Sequence, residues 1–111
     1  MTALVWCPFP NEESARVVVA TLLDERIVAC ANIAPGLQSL FIWNDERHEC
    51  AEVGVLLKTD SSLLESVISR MESLHPYDEP AILGWHCNAA NEATQAWLGK
   101  LGADSGKDEQ A

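Results

Sequence analysis

Two long apolar segments joined by a short polar tip constrain the fold more than any other feature of this chain. The segments cover residues 27–43 and 50–59, and the tip is Asn44-Asp45-Glu46. Both segments are rich in β-branched and aromatic residues, which is typical of strands, so the region predicts a β-hairpin. Pro35-Gly36 interrupts the first arm, where a proline favours a bulge or bend over an inner ladder position.

The predicted length of this hairpin has a consequence for assembly. An arm of about 15 residues reaches about 50 Å at about 3.3 Å per residue. A compact domain of 111 residues has a radius of gyration of about 13 Å, hence a diameter of about 35 Å. We therefore expect the hairpin to extend beyond its own domain, and an apolar extension favours association with identical subunits.

Composition narrows the classes of partner. The chain is 48% hydrophobic, which suits one globular domain over residues 1–101, followed by a polar tail at 102–111 that we predict to be disordered. Seventeen acidic residues against seven basic ones give a net charge of −10. This balance disfavours nucleic acid and anionic membranes as partners, because both need a basic surface. It suits cations, although a solvated acidic surface is the commoner explanation.

The first residues and the cysteines indicate a cytoplasmic protein. We identify no signal peptide at the N-terminus and no apolar run of about 20 residues that would span a bilayer. Cys7, Cys30, Cys50 and Cys87 are widely spaced and form no Cys-x-x-Cys pair. The spacing excludes an obvious zinc ribbon, iron–sulfur motif or thioredoxin-type site, and we expect reduced thiols.

The remaining segments predict an α+β fold. A strand at 2–7 precedes a helix capped by Asn11. A second helix follows the hairpin, capped by Asp60-Ser61-Ser62, with Ser62 and Glu65 at capping-box spacing. A last strand at 81–87 and a helix capped by Asn91 complete the order. This order is a ferredoxin-like βαββαβ sandwich with a long hairpin between its second and third strands and a C-terminal helix. Right-handed crossovers place both main helices on one sheet face, which leaves the other face for neighbouring subunits.

A set of short motifs is distributed along most of the chain. They are Ala29-Cys-Ala-Asn-Ile33, Pro35-Gly36, Ser39-Leu-Phe-Ile-Trp43, Glu52, Lys58-Thr59, His75-Pro-Tyr77, Pro80 and Trp97-Leu98. With these motifs the chain resembles the CutA family of divalent-cation-tolerance proteins over about residues 3 to 101. The resemblance implies an interlocked homotrimer of ferredoxin-like subunits, with an architecture similar to that of the PII signal proteins.

Several positions depart from the family pattern. Asp45 stands at the hairpin tip where glycine is usual, and Phe41 replaces a tyrosine. Ala81, His86 and Thr94 replace a usual glutamate, proline and tyrosine. These differences leave the predicted fold intact, but the missing tyrosines and glutamate remove polar groups that a ligand site could use.

Cys7 and His75 are the candidate metal ligands. The resemblance implies that copper-binding members use a cysteine at the end of the first strand and a His-His pair before Pro-Tyr as ligands. Cys7 and His75 match two of these three positions, and Leu74 replaces the first histidine. Thiolate and imidazole suit copper or zinc. A closed zinc site needs four ligands, so a neighbouring subunit, Asp78 or Glu79 would have to contribute. Packing of Cys7 in the core and of His75 at a helix end is the structural alternative.

Glu52, Lys58 and Tyr77 are the candidates for a cleft between subunits that binds a small charged ligand. Glu52 and Lys58 lie about 20 Å apart on one strand and cannot pair with each other. An ion pair across subunits is the alternative role for either. We expect Trp43, Trp85 and Trp97 to be packing residues.

The sequence favours a non-catalytic protein. No nucleophile motif and no tuned acid–base pair is present, and adjacent His86 and Cys87 would point to opposite faces of a strand. The leading hypothesis is a homotrimer that binds copper or another divalent ion and contributes to metal tolerance, with no organic cofactor. The alternative is a PII-like signalling or scaffold trimer that binds a small anion or a protein partner in its clefts.

Overall fold

The computed structural model describes the backbone of residues 1–110 and the side chains of residues 1–103. Its four-stranded antiparallel sheet has the order β2-β3-β1-β4. This architecture confirms the α+β, ferredoxin-like prediction with its long hairpin and C-terminal helix. The elements in chain order are β1 (Thr2–Phe9), α1 (Glu12–Asp24), β2 (Cys30–Trp43), β3 (Glu46–Asp60), a 3₁₀ turn (Ser61–Leu63), α2 (Leu64–Leu74), β4 (Leu83–His86) and α3 (Glu92–Gln110).

The core lies between the sheet and helices α1 and α2. Alternate residues of β1 are fully buried because successive side chains of a strand point to opposite faces. Helix α3 packs against β1 and β3, and Leu98 is its buried residue. Trp97, predicted on the packed side of that helix, is 47% exposed. Among the described residues, no helix is long and apolar enough to cross a membrane.

Helix α1 begins and ends with recognisable backbone motifs. The Asn11 side chain accepts a hydrogen bond from the Ser14 amide at 2.8 Å, which confirms the predicted N-cap. At the other end, Arg26 has a left-handed φ of 60°. The amides of Arg26 and Ile27 donate to the carbonyls of Leu23 and Leu22, which is the hydrogen-bond pattern of a Schellman motif.

The predicted capping by Asp60 is present, but it lies before the 3₁₀ turn, and the predicted capping box of Ser62 and Glu65 is wrong. The carboxylate of Asp60 accepts hydrogen bonds from the Ser62 amide and hydroxyl, and this caps the 3₁₀ turn that precedes the helix. Leu63 therefore occupies the N-cap position of α2 and makes no side-chain capping bond. The sequence offered both Asp60 and Ser62 as acceptors for the free amides at the start of the helix, and Asp60 is used.

The hairpin has the predicted form. Asn44 and Asp45 have φ values of 52° and 63°, as in the type I′ turns that suit two-residue hairpin loops. The ladder shifts register between Ala34 and Leu37, where Gly36 has a φ of 81°, so the predicted bulge is confirmed.

The hairpin also extends beyond the domain. Strand β1 pairs with β3 only as far as Val53, so residues 37–52, which we call the hairpin end, form a two-stranded ribbon. The protomer measures 47 × 30 × 23 Å, with a radius of gyration of 14.9 Å. A compact chain of this length has a radius of gyration of about 13 Å, so the elongation reflects the hairpin.

Helix α3 includes most of the segment predicted as a disordered tail. Its backbone is helical to Gln110. Ala111 and the side chains after residue 103 lie outside the described part of the structure. The disorder predicted for 102–111 stays a prediction.

Candidate functional site

The loop of residues 75–82, between α2 and β4, packs against the end of β1 through His75. The imidazole stacks on Phe9 with ring centroids 4.2 Å apart, and only 8% of the residue is exposed. Pro76 follows it, and because a proline disfavours helical backbone in the residue before it, the helix ends at Leu74. The family motif His75-Pro-Tyr77 thus begins where the helix ends.

Both ring nitrogens of His75 are occupied. Nδ1 accepts a hydrogen bond from the Tyr77 amide at 3.1 Å, and Nε2 lies 2.9 Å from the carbonyl oxygen of Pro8. A nitrogen that accepts carries no proton, so the proton belongs on Nε2, which donates to Pro8. Burial lowers the pKa of His75, against the opposing effects of the Pro8 bond and the Glu52 charge. The ring is therefore a neutral imidazole with no nitrogen left for a further ligand.

The Cys7 thiol also contacts the carbonyl oxygen of Pro8. Its Sγ lies 3.6 Å from the Pro8 oxygen, so the structure brings the two predicted metal ligands to one point. The thiol is completely buried, and burial, helped by the charge of Glu52, raises its pKa to about 12. Cys7 is thus a protonated thiol at neutral pH, whereas a metal ligand must be a thiolate.

As they stand within one protomer, these residues do not fit a metal ion. In the part of the chain with described side chains, no group of three or more His, Cys, Asp or Glu residues is placed to hold one. Cys7 would have to lose its proton, and His75 would have to give up one of its hydrogen bonds. The metal site at Cys7 and His75 stays a prediction.

Two of the three predicted cleft residues do meet. The Tyr77 hydroxyl donates to Oε2 of Glu52 at 2.8 Å, although the residues are far apart in the chain. Burial, and secondarily this bond to Glu52, raises the pKa of the Tyr77 phenol. Lys58 lies elsewhere, between Leu4 and Cys30 in the ladder and about 20 Å along β3 from Glu52. Within one protomer, Lys58 takes no part in this site.

Glu52 and Tyr77 line a cavity of about 820 Å³ between the hairpin end and the loop 75–82, which we call the hairpin cavity. Sequence reasoning missed its other walls. The position of the turn at residues 44–45 fixes which residues of β2 and β3 face each other, so the pairing of Phe41 with His48 could have been found. The approach of the loop to the ribbon is a tertiary contact without a local sequence signal. The charged or aromatic lining residues are Phe41, Trp43, Glu52, Tyr77, Asp78 and Glu79.

The remaining candidate residues either make local hydrogen bonds or are half-exposed. Nδ1 of His86 lies 2.9 Å from the Ser61 hydroxyl, and the Cys87 thiol lies 3.0 Å from the Ala89 carbonyl. The tryptophans predicted to pack are half-exposed in the protomer, with Trp43 at 50% and Trp85 at 44%. In the single chain described, neither side chain is buried.

Comparison with known proteins assigns the family. The sequence model described as "CutA1 divalent ion tolerance protein" matches residues 3–100. The chain belongs to the CutA1 family. Among its relatives, the divalent-cation tolerance protein CutA of Pyrococcus horikoshii is 42% identical over 95 residues, which is 86% of this chain and 92% of that protein. The corresponding protein of Thermus thermophilus is 36% identical over 98 residues, 88% of this chain and 95% of that one.

Solved structures of the CutA1 family share the fold. The crystal structure of the divalent ion tolerance protein CutA1 from Ehrlichia chaffeensis superposes with a TM-score of 0.85 at 31% identity, covering 91% of this chain and 94% of that one. The Thermus thermophilus protein gives a TM-score of 0.83 at 36% identity, over 88% of this chain and 95% of that chain. The fold of this chain, with its long hairpin, is therefore that of the CutA1 family.

Proposed function

We propose that this CutA1 protein is a homotrimer that binds copper or other divalent ions and contributes to metal-ion tolerance without catalysing a reaction. The observation that carries the proposal is the family match over residues 3–100. The relatives from Pyrococcus horikoshii and Thermus thermophilus are named for divalent-cation tolerance. The net charge of −10 is compatible with a cationic ligand.

The hairpin end supports the assembly part of the proposal. It exposes consecutive apolar residues, with Leu40 at 59% and Ile42 at 68% exposure. A two-stranded ribbon is marginally stable in water by itself, and an apolar one is prone to associate. Identical subunits around a closed axis would cover all hairpin ends equivalently. The number three comes from the resemblance to the CutA family.

Cys7 and His75 remain the proposed ligands, provided that both are freed from their present interactions. Binding must release the thiol proton of Cys7 and free one nitrogen of His75, and a further donor must come from Asp78, Glu79 or a neighbouring subunit. Because the pKa of Cys7 is raised to about 12, one proton leaves at any pH near neutrality. The apparent metal affinity should then rise about tenfold per pH unit between pH 6 and 8.

Native mass spectrometry tests the proposal. The purified protein should appear as a trimer that takes up whole equivalents of Cu(II) or Zn(II) per subunit. Cys7→Ser/His75→Ala should lose this uptake. The matched control Cys87→Ser/His48→Ala removes one thiol and one imidazole elsewhere and should keep it. Uptake that survives in Cys7→Ser/His75→Ala would place the ions at other residues. A parent trimer that takes up no metal would contradict the metal-binding part of the proposal.

A PII-like trimer is the second candidate function. Its support is the hairpin cavity, in which Glu52 and Tyr77 meet at 2.8 Å. The anion that such a role was expected to bind is disfavoured, because Lys58 lies outside the cavity and three carboxylates line it. A ligand screen by thermal shift with nucleotides and inorganic anions tests the anion form, and no shift with either would exclude it.

A further inference from the structure

We propose that metal binding at His75 and the present position of the Tyr77 backbone exclude each other, so that the loop 75–82 limits the metal affinity of the protein. The inference rests on the proposed function, in which Cys7 and His75 are the metal ligands. It uses hydrogen bonds that lie within one chain, between the end of β1 and the loop, and it needs no open surface. A metal ion and the Tyr77 amide compete for one imidazole ring.

The two nitrogens of His75 face different neighbours. Nε2 lies 2.9 Å from the Pro8 carbonyl oxygen, and Sγ of Cys7 lies 3.6 Å from that same oxygen. Nδ1 lies 3.1 Å from the amide nitrogen of Tyr77. Nε2 is therefore the nitrogen on the side of the thiol, and it is the one that a shared ion would use.

The ring proton decides what binding through Nε2 requires. A neutral imidazole carries one proton, and the present hydrogen bonds place it on Nε2, because Nδ1 accepts from Tyr77. A nitrogen that binds a metal ion carries no proton, so the ring then keeps its proton on Nδ1. Nδ1–H would face the N–H of Tyr77, and two donors would meet without an acceptor.

Binding through Nδ1 leads to the same result. The lone pair that now accepts from the Tyr77 amide would be used for the ion, while Nε2 kept its bond to Pro8. Only 8% of His75 is exposed, so water is poorly placed to replace the lost acceptor. Both ways of binding an ion therefore require the Tyr77 amide to leave the ring.

The side chain of Tyr77 adds to the competition. Its hydroxyl donates to Oε2 of Glu52 at 2.8 Å, and its ring centroid lies 4.9 Å from that of His75. Coupling between two binding equilibria is reciprocal. Each contact that favours the present position of Tyr77 therefore lowers the apparent metal affinity by the factor by which it favours that position.

Amide hydrogen exchange tests the proposal on the full chain, followed by NMR with and without Zn(II). Zn(II) is diamagnetic, so resonances near the site remain visible. Saturation with Zn(II) should speed exchange of the Tyr77 amide about tenfold or more, because this amide loses its acceptor. The Ser14 amide donates to the side chain of Asn11 in the same manner, and as the matched control it should not change.

A pair of variants tests the reciprocal effect on affinity. Glu52→Gln removes the charge of the carboxylate but keeps an oxygen acceptor for Tyr77. Adding Tyr77→Phe to Glu52→Gln removes the hydrogen bond at constant net charge. Zn(II) should bind the double variant about threefold or more tightly than it binds Glu52→Gln. Equal or weaker binding by the double variant would contradict the role of the loop.

Native mass measured on the same samples separates this proposal from the metal proposal. Zn(II) uptake that is lost in Cys7→Ser/His75→Ala, with an unchanged Tyr77 amide in the parent, would overturn the exclusion alone. No uptake by the parent, or uptake that survives in Cys7→Ser/His75→Ala, would overturn both proposals. Uptake at these residues with faster exchange of Tyr77 would support both, and Cys87→Ser/His48→Ala should then respond as the parent does.

Discussion

The imidazole of His75 makes three interactions that join two parts of the chain. It stacks on Phe9, donates to the Pro8 carbonyl and accepts from the Tyr77 amide, so it connects the end of β1 to the loop 75–82. All three interactions are made by the neutral ring, and a proton on Nδ1 would break the bond from Tyr77. A residue that the sequence presented as a metal ligand therefore has a structural role in the protomer.

We expect this role to make stability depend on pH. Burial lowers the pKa of His75 below its ordinary value of about 6.5. The unfolded chain then binds the proton more readily, so the stabilisation is complete above about pH 6.5 and is lost as the pH falls through the lowered pKa. The loss should reach at most about 1.4 kcal/mol per pH unit for one proton.

Urea unfolding at a series of pH values between 5 and 7.5 measures this dependence. His75→Gln keeps polar atoms at the site without the titration, and it should unfold with a flatter pH profile than the parent protein. His48→Gln, on the exposed hairpin end, should leave the profile unchanged. Parallel profiles for the parent and His75→Gln would show that the ring does not titrate with folding.

At the scale of elements, the hairpin turn combines a correct prediction with an unfavourable residue. The two-residue type I′ turn requires left-handed backbone at both Asn44 and Asp45. Asparagine tolerates this region well, and glycine is the preferred second residue. Asp45 therefore adopts its conformation at a cost in free energy.

Asp45→Gly should stabilise the folded protein by about 0.5–1 kcal/mol, because glycine adopts left-handed backbone without steric cost. Denaturant unfolding at a fixed protein concentration measures the change, since oligomers unfold in a concentration-dependent way. Asn44→Gly is the matched control and should gain less. A destabilised Asp45→Gly protein would mean that the carboxylate makes a contact in the assembled protein that outweighs the relief of backbone strain.

Local signals predicted the elements, and long-range contacts decided the rest. The caps at Asn11 and Asn91 and the bulge after Pro35 each follow from a few neighbouring residues, and the structure contains all three. The meeting of Glu52 with Tyr77 depends on how the loop 75–82 approaches the ribbon, which no local pattern encodes.

Close approaches were equally invisible in the sequence. A Cβ atom at Gly54 would overlap the ring of Trp6, so this glycine is needed for contact between neighbouring strands. Among the described side chains of α3, the buried one is Leu98, whereas its neighbour Trp97, expected to be a packing residue, is half-exposed. Such details depend on which surface a helix or strand meets, and that is set by the whole fold.

At the scale of the molecule, both edges of the sheet expose large apolar side chains. The hairpin end carries Leu40 and Ile42, and the edge strand β4 carries Leu83 and Trp85. Strands β2 and β4 are the two edges of the sheet, so each also presents unpaired backbone groups. In the proposed trimer, identical neighbours would cover both edges.

Leu40→Glu tests whether the hairpin end holds the assembly together. Leu40 lies outside the hairpin cavity, and burying a glutamate in its place would forfeit about 1.5–3 kcal/mol of apolar burial and add the cost of desolvating a charge. We expect the dissociation constant of the assembly to rise about a hundredfold or more, which sedimentation velocity should detect as monomer at micromolar concentration.

Val17→Glu is the matched control for this experiment. Val17 is 62% exposed on the outer side of α1, close to the 59% of Leu40. The Val17→Glu substitution places the same charge on an equally exposed position away from the sheet edges, so this variant should sediment as the parent protein does. Dissociation in both variants would point to the added charge itself, since the chain already carries a net charge of −10. A Leu40→Glu protein that stays assembled would show that the ribbon protrudes without being covered, and that β4 or another surface holds the subunits together.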